Sequence, residues 1–209
     1  MPIFHKDGKF LLYVHIPKTG GSYIENFFFK NGYDVGMLDR GLHKPFFNKV
    51  RLVSPQHMHA ELLEATLDLT AFDLVFMSVR HPVSRLLSEY RMRLDPANPV
   101  DFNDWFADMY EQYLLDPFVS DNHLRPQHEF VLESAHVFKQ EEGFDAAWAD
   151  RLEAEFGLEF HSKEFARSET SQHKIPFSKS TDQISAENKS KILELYQKDF
   201  DLFGYELKF

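Results

Sequence analysis

Three short clusters in this chain carry residue types that can do chemistry. The first is Lys18-Thr19-Gly20-Gly21-Ser22, which combines a cation, two hydroxyls and two glycines. A glycine pair lets the backbone turn sharply and come close to a ligand. The mostly apolar run Leu11–Ile16 precedes it, and Ile24, Phe27 and Phe28 follow at helical spacing. The cluster therefore reads as the turn between a buried strand and a helix. A helix N-terminus presents unpaired N–H groups and the positive end of its dipole, so this turn suits a phosphate. Lys18 and the hydroxyls of Thr19 and Ser22 add charge and donors. An ordinary turn with a solvated lysine is the plainer reading of the cluster taken alone.

The second cluster is Arg80-His81-Pro82, with Arg85 and Ser88 beyond it. The run 72–79 reads as a strand, and Pro82 suits the first turn of a helix. Arg80 thus falls just past a strand end, where open α/β sheets bind their ligands. Ser88 follows on the same helix and can donate to the same anion. Arg85 reads equally as a second anion grip or a structural ion-pair partner. The third cluster is His57-Met58-His59. A His-x-His pair can ligate metal, but the sequence offers no third ligand at a persuasive spacing. It can equally remove a proton near neutral pH, which is histidine's ordinary range. With 11 histidines, a chance pair is also expected.

His15-Ile16-Pro17-Lys18-Thr19-Gly20-Gly21-Ser22 is not the standard nucleoside-triphosphate loop. That loop places a glycine four residues ahead of Gly-Lys-Ser/Thr, whereas here the lysine precedes the glycines. It resembles instead the 5′-phosphosulfate loop of sulfotransferases that use 3′-phosphoadenosine 5′-phosphosulfate (PAPS), in the branch with heparan sulfate 2-O-sulfotransferase and its bacterial relatives. Segment 80–90 resembles that family's 3′-phosphate motif. The resemblance implies that Lys18, Thr19, Gly20, Gly21 and Ser22 hold the 5′-phosphosulfate and that Arg80 and Ser88 hold the 3′-phosphate. It implies that Lys18 also assists catalysis and that His59, or else His57, is the base, with Glu61 outside them. A carbohydrate hydroxyl is the implied acceptor. Asn122-His123-Leu124-Arg125-Pro126-Gln127 echoes a family segment near acceptor or nucleotide, which marks Arg125 and Gln127 as substrate-binding candidates. His173-Lys174 and Ser178-Lys179-Ser180 stand where relatives carry a polar loop over the nucleotide.

These clusters need elements to position them. Strands are expected at 9–16, 50–53 and 72–79, with weaker ones at 130–132 and 136–138. Helices are expected at 22–30, 60–68, 83–94, 101–115, 145–156 and 185–200. Segment 33–49, with Lys44 and Lys49, reads as loop, and 161–183 as a long polar loop. Strands alternating with helices point to an α/β fold with a central, mostly parallel sheet. The family resemblance implies a P-loop-like three-layer arrangement. At 209 residues one domain, 1–209, is the default.

The net charge of −10 argues against a general nucleic-acid binder. It leaves room for a local basic pocket around one phosphorylated ligand. With no cysteine there is no disulfide, and no metal site or nucleophile based on one. No run approaches about eighteen apolar residues, so no membrane span is expected. The N-terminus lacks a signal-peptide core, which makes a cytoplasmic protein the default. Oligomeric state is open. Because Arg80, not an acidic residue, follows the strand at 72–79, a required metal is not expected. A nucleotide or small-molecule kinase and a non-catalytic nucleotide-binding protein are the rival readings.

Overall fold

The computed structural model describes residues 1–39, 50–165 and 184–209. Lys44, Lys49, and the polar residues Ser168–Ser171, His173, Lys174 and Ser178–Thr181 lie outside the described residues.

Five strands form one sheet: β1 (Ile3–Lys6), β2 (Lys9–Val14), β3 (Asp34–Gly36), β4 (Leu74–Val79) and β5 (His136–Lys139). Their order is β3-β1-β2-β4-β5. β2, β4 and β5 run parallel to their neighbours in this group, and β1 pairs antiparallel with both β2 and β3. All six residues of β4 are buried, as expected of a central strand covered on both faces. Among the described residues six α-helices accompany the sheet: α1 (Gly21–Lys30), α2 (Ala60–Thr66), α3 (Pro82–Arg93), α4 (Phe102–Leu115), α5 (Ala146–Phe156) and α6 (Ala186–Phe203). The architecture is α/β.

Alternation along the strands divides the core. Leu11, Tyr13, Phe76 and Phe138 pack on one face against Phe27 and Phe28 of α1 and Trp148 and Leu152 of α5. Leu12, Val14, Val75 and Met77 pack on the other, against Leu63 of α2 and Phe203 of α6. A third cluster joins Val83, Leu86 and Leu87 of α3 to Phe106 of α4 and to Ile192, Tyr196 and Phe200 of α6. Among the described residues no helix is long and apolar enough to cross a membrane.

Four differences from the sequence reading have local causes. β1 is present although only Phe4 of its four residues is buried. Its signal is Asp7-Gly8, both at positive φ, which closes a two-residue hairpin between Lys6 and Lys9. β3 pairs along the outer edge of β1 within the stretch expected to be loop. Residues 50–53 form no strand, and the chain instead enters a short 3₁₀ turn at Pro55–His57. Residues 130–132 also form none, since Phe130 ends another 3₁₀ turn begun at Gln127.

The parallel pairing of β2 with β4 sets Val14 opposite Met77. Both strands therefore end on the same side of the sheet, and the segments that leave them, 15–20 and 80–81, lie side by side.

Candidate active site

The turn after β2 is held from below by a buried chain of hydroxyls. Tyr13 Oη and Ser78 Oγ lie 2.5 Å apart, and Ser78 Oγ lies 2.8 Å from Thr19 Oγ1. Thr19 Oγ1 donates to the Ile16 carbonyl at 2.8 Å. The chain ties β2, β4 and the turn together. It also corrects one expectation. The Thr19 hydroxyl is fully buried and faces the interior, so what Thr19 can offer a ligand is its backbone N–H.

The glycines are required where they stand. Gly20 has φ 99° and a Cβ there would lie 2.8 Å from the Phe144 ring. A Cβ on Gly21 would lie 2.1 Å from His15 Nε2, well inside contact distance. Gly20 is the N-cap of α1, and no side chain caps that helix. Tyr23 N–H goes to the Gly20 carbonyl at 2.9 Å, and no side-chain oxygen caps the N–H groups before it, which is the state in which a helix start accepts an anion. Lys18 has φ 70°, a left-handed conformation uncommon for a residue with a side chain.

Two desolvated cations border this turn. Arg80 Nη1 donates to the Lys18 carbonyl at 3.3 Å, and Lys18 Nζ rests 3.2 Å from Met92 Sδ on α3. Burial pushes the Lys18 ammonium down, with Glu89 opposing and Arg80 and Arg93 adding to the shift. Burial likewise lowers Arg80, with Glu141 opposing and Arg91 adding. Desolvated cations held close together are a place where a bound anion relieves both. Ser88 is half-buried on α3, one helical turn before Met92.

Arg80 is set by Gln127, whose amide accepts from the Arg80 N–H at 2.9 Å and donates to the Arg80 carbonyl at 2.7 Å. Gln127 has no exposed surface, and its backbone N–H goes to Asp199 of α6 at 2.8 Å. It is a clamp on the turn. Arg125 is buried as well. It donates to Asn122 Oδ1 at 2.9 Å, pairs with Glu129 and lies over the Phe118 ring. In these contacts both residues, expected as substrate-binding candidates, are engaged with the protein itself. Arg85 is buried and makes no ion pair among the described residues. Its guanidinium donates to the Pro17 carbonyl at 3.0 Å and the His123 carbonyl at 2.8 Å, so it braces the loop from inside.

The histidines complete the site. No strand delivers His57. It ends the 3₁₀ turn Pro55–His57 and is fixed by the loop after α4. Asp121 accepts from Ser54 N at 2.6 Å, Ser54 Oγ at 2.7 Å and His57 Nδ1 at 2.6 Å, and Asn122 Nδ2 donates to the His57 carbonyl at 2.9 Å. Ser120, Asp121 and Asn122 all have positive φ, between 54° and 62°. Three left-handed residues in a row cost about 1–2 kcal/mol each unless their side chains bond locally. This run aims Asp121 and then His123 at His57. The His57 and His123 rings meet edge to face, with centroids 4.9 Å apart, and His15 also meets His57 edge to face at 5.1 Å. His15 Nδ1 in turn lies 2.7 Å from Glu25 on α1.

Burial lowers His57 to about 3, opposed by its bond to Asp121, so the ring is neutral at physiological pH. With Asp121 taking the Nδ1 proton, Nε2 carries the lone pair. His59 is oriented less firmly. Its ring nitrogens lie 3.5 Å from Asn122 Nδ2 and 3.7 Å from the largely exposed Glu61 carboxylate. Burial lowers it too, and Arg125 adds to that. Geometry therefore favours His57 over His59 as an oriented base. The fold also supplies the third group that spacing did not. His57, Asp121 and His123 offer ligand atoms within 4.8 Å of one another, a group able to hold a metal ion. The sequence reading passed over His123, Asp121 and His15. The signal for the first two was the turn-forming run Ser120-Asp121-Asn122 ahead of a histidine.

The site is thus an uncapped helix start, a turn before it bordered by two desolvated cations, and a neutral imidazole oriented by a carboxylate. Such an arrangement can bind a phosphorylated group and take a proton. The chain matches the model of a family described as the sulfotransferase family over residues 1–206. No curated protein and no solved structure matches it. A match over nearly the whole chain, on a fold that sets a lysine–glycine turn beside an arginine at the ends of parallel strands, places this protein in the sulfotransferase family.

Proposed function

We propose that this protein moves a sulfuryl group from PAPS to an acceptor hydroxyl on a carbohydrate, by in-line displacement. One observation carries the reading: the Arg80 guanidinium bonds the Lys18 carbonyl, so two desolvated cations border the turn that leads into the uncapped start of α1. The donor set fits the nucleotide. Lys18 and the N–H groups of 19–22 suit the 5′-phosphosulfate, and Arg80 with Ser88 suits the 3′-phosphate. No metal is part of this reading.

PAPS supplies the activated sulfuryl group, and each protein residue has a separate task. The N–H groups at the start of α1 and the Lys18 ammonium stabilise charge that grows on the bridging oxygen. His57 Nε2, with Asp121 fixing its tautomer, takes the acceptor proton as the oxygen attacks. Arg85 and Gln127 keep the loop and Arg80 in place from the interior.

A thermal-shift measurement tests the reading. Adenosine 3′,5′-bisphosphate should raise the melting temperature in EDTA, and ATP should do so much less. A shift with ATP alone that strictly requires Mg²⁺ would refute it.

A further inference from the structure

His15 is the first residue beyond β2, and it is buried with no task in the scheme above. Four groups meet its ring. The Tyr13 ring on β2 stacks on it, with centroids 5.5 Å apart. Glu25 of α1 lies 2.7 Å from its Nδ1. The His57 ring meets it edge to face at 5.1 Å. Gly21, the first residue of α1, faces its Nε2 edge. A Cβ on Gly21 would fall 2.1 Å from Nε2 and 2.4 Å from each ring carbon beside it.

Gly21 is not among the residues with positive φ. Its backbone alone would accept alanine, the better helix former. What holds the position to glycine is the His15 ring. Two of the four neighbours serve the two halves of the reaction: Gly21 opens the helix start suited to the phosphosulfate, and His57 is the oriented base. One rigid ring in contact with both fixes their separation. That ring is itself carried on the end of β2, a strand paired on both sides, to β1 and β4.

We propose that His15 is a positioning residue: its ring, seated against Glu25, sets the distance from the start of α1 to His57. The proposal rests on the sulfotransferase reading and gives His15 no proton transfer of its own. In-line transfer needs the acceptor oxygen at His57 to meet the sulfur held at the start of α1 along the axis of the breaking bond. A misplacement of about 1 Å costs on the order of 10²-fold in such a step.

Two measurements test it. The first is transfer of labelled sulfate at saturating PAPS to a panel of mono- and oligosaccharides, beside calorimetric titration with adenosine 3′,5′-bisphosphate. His15→Gln keeps a donor for Glu25 but has no ring. It should lose roughly 10- to 100-fold in turnover. Its nucleotide affinity should stay nearly unchanged, because Lys18, Arg80 and the N–H groups of α1 all remain. Full turnover in His15→Gln, or equal losses in turnover and nucleotide affinity, would overturn the positioning role.

The second measurement needs no turnover. Melting temperatures are compared for the parent, Gly21→Ala, His15→Ala and the double variant. Gly21→Ala should melt roughly 2–10 °C below the parent, because its methyl overlaps the ring. In the His15→Ala background the same methyl should cost nothing, since the two changes share one contact. An equal cost in both backgrounds would overturn the contact between His15 and α1. His15→Gln, whose flexible side chain can give way, serves as the background if His15→Ala does not fold. If the parent binds the nucleotide yet transfers sulfate to none of the panel, the functional reading fails and the positioning role with it. The melting comparison still decides whether the ring is what excludes a side chain at Gly21.

Discussion

Asp121→Asn isolates the orientation of His57 from its presence. Asp121 accepts three hydrogen bonds, from Ser54 N, Ser54 Oγ and His57 Nδ1. An asparagine has one acceptor oxygen. If that oxygen serves Ser54 N, the amide NH₂ faces His57 Nδ1 where the carboxylate oxygen sat at 2.6 Å. The ring then shifts its proton to Nε2 so that Nδ1 can accept, and Nε2 loses its lone pair. Restoring the reactive tautomer sets two N–H donors against each other in a buried site. An unmade buried bond of this kind costs about 1–3 kcal/mol, a fall in turnover of about 5- to 150-fold. The assay is transfer of labelled sulfate from PAPS to a carbohydrate acceptor, run beside calorimetric titration with adenosine 3′,5′-bisphosphate. Turnover should fall by that factor while nucleotide affinity stays unchanged, because Asp121 makes no contact with Lys18 or Arg80 in the bonds described. Full turnover in Asp121→Asn, with activity instead lost in His59→Ala, would show that His59 is the base and refute the reasoning from geometry.

Two further outcomes are expected. Arg80→Ala should weaken adenosine 3′,5′-bisphosphate by about 1.5–3 kcal/mol, roughly 10- to 150-fold, the worth of a charge-assisted contact. Calorimetry should show adenosine 5′-phosphosulfate, which lacks the 3′-phosphate, nearly unaffected, and equal losses for both would make Arg80 structural. The buried, neutral His57 should make stability fall with acidity. Its folded value of about 3 lies below the ordinary 6.5, so the unfolded chain binds a proton between these values that the folded chain does not. Stability therefore drops as pH falls through that window. His57 alone accounts for about 3 kcal/mol lost by pH 4. Urea unfolding of parent and His57→Gln at pH 7 and pH 4 should show a smaller acid loss in the variant; equal losses would contradict a buried neutral ring.

Local signals in the chain account for much of the fold and part of the site. The six helices follow from apolar spacing and caps, such as Asp145 before α5 and Gly157 after it. β2 and β4 follow from short apolar runs. The turn at 18–22 and Arg80 are legible because each lies at a strand end. An Asp-Gly hairpin was equally legible at Asp7-Gly8, but β1 and β3 bury too little to show a period.

What the sequence could not assign were roles that depend on partners far along the chain. Thr19 faces inward because Ser78, 59 residues away, is its partner. Arg85, Arg125 and Gln127 look like ligand-binding residues by type, and only the folded chain surrounds them with internal partners, backbone groups for Arg85 and Gln127 and Asn122, Glu129 and Phe118 for Arg125. His57 outranks His59 because Asp121, 64 residues away, fixes one ring and not the other. His123 joins the site because Glu89 and a left-handed turn carry it there. A residue's type determines which bonds it can make. Which of them it does make depends on what the folded chain brings within about 3 Å of it, and spacing along the sequence does not encode that distance.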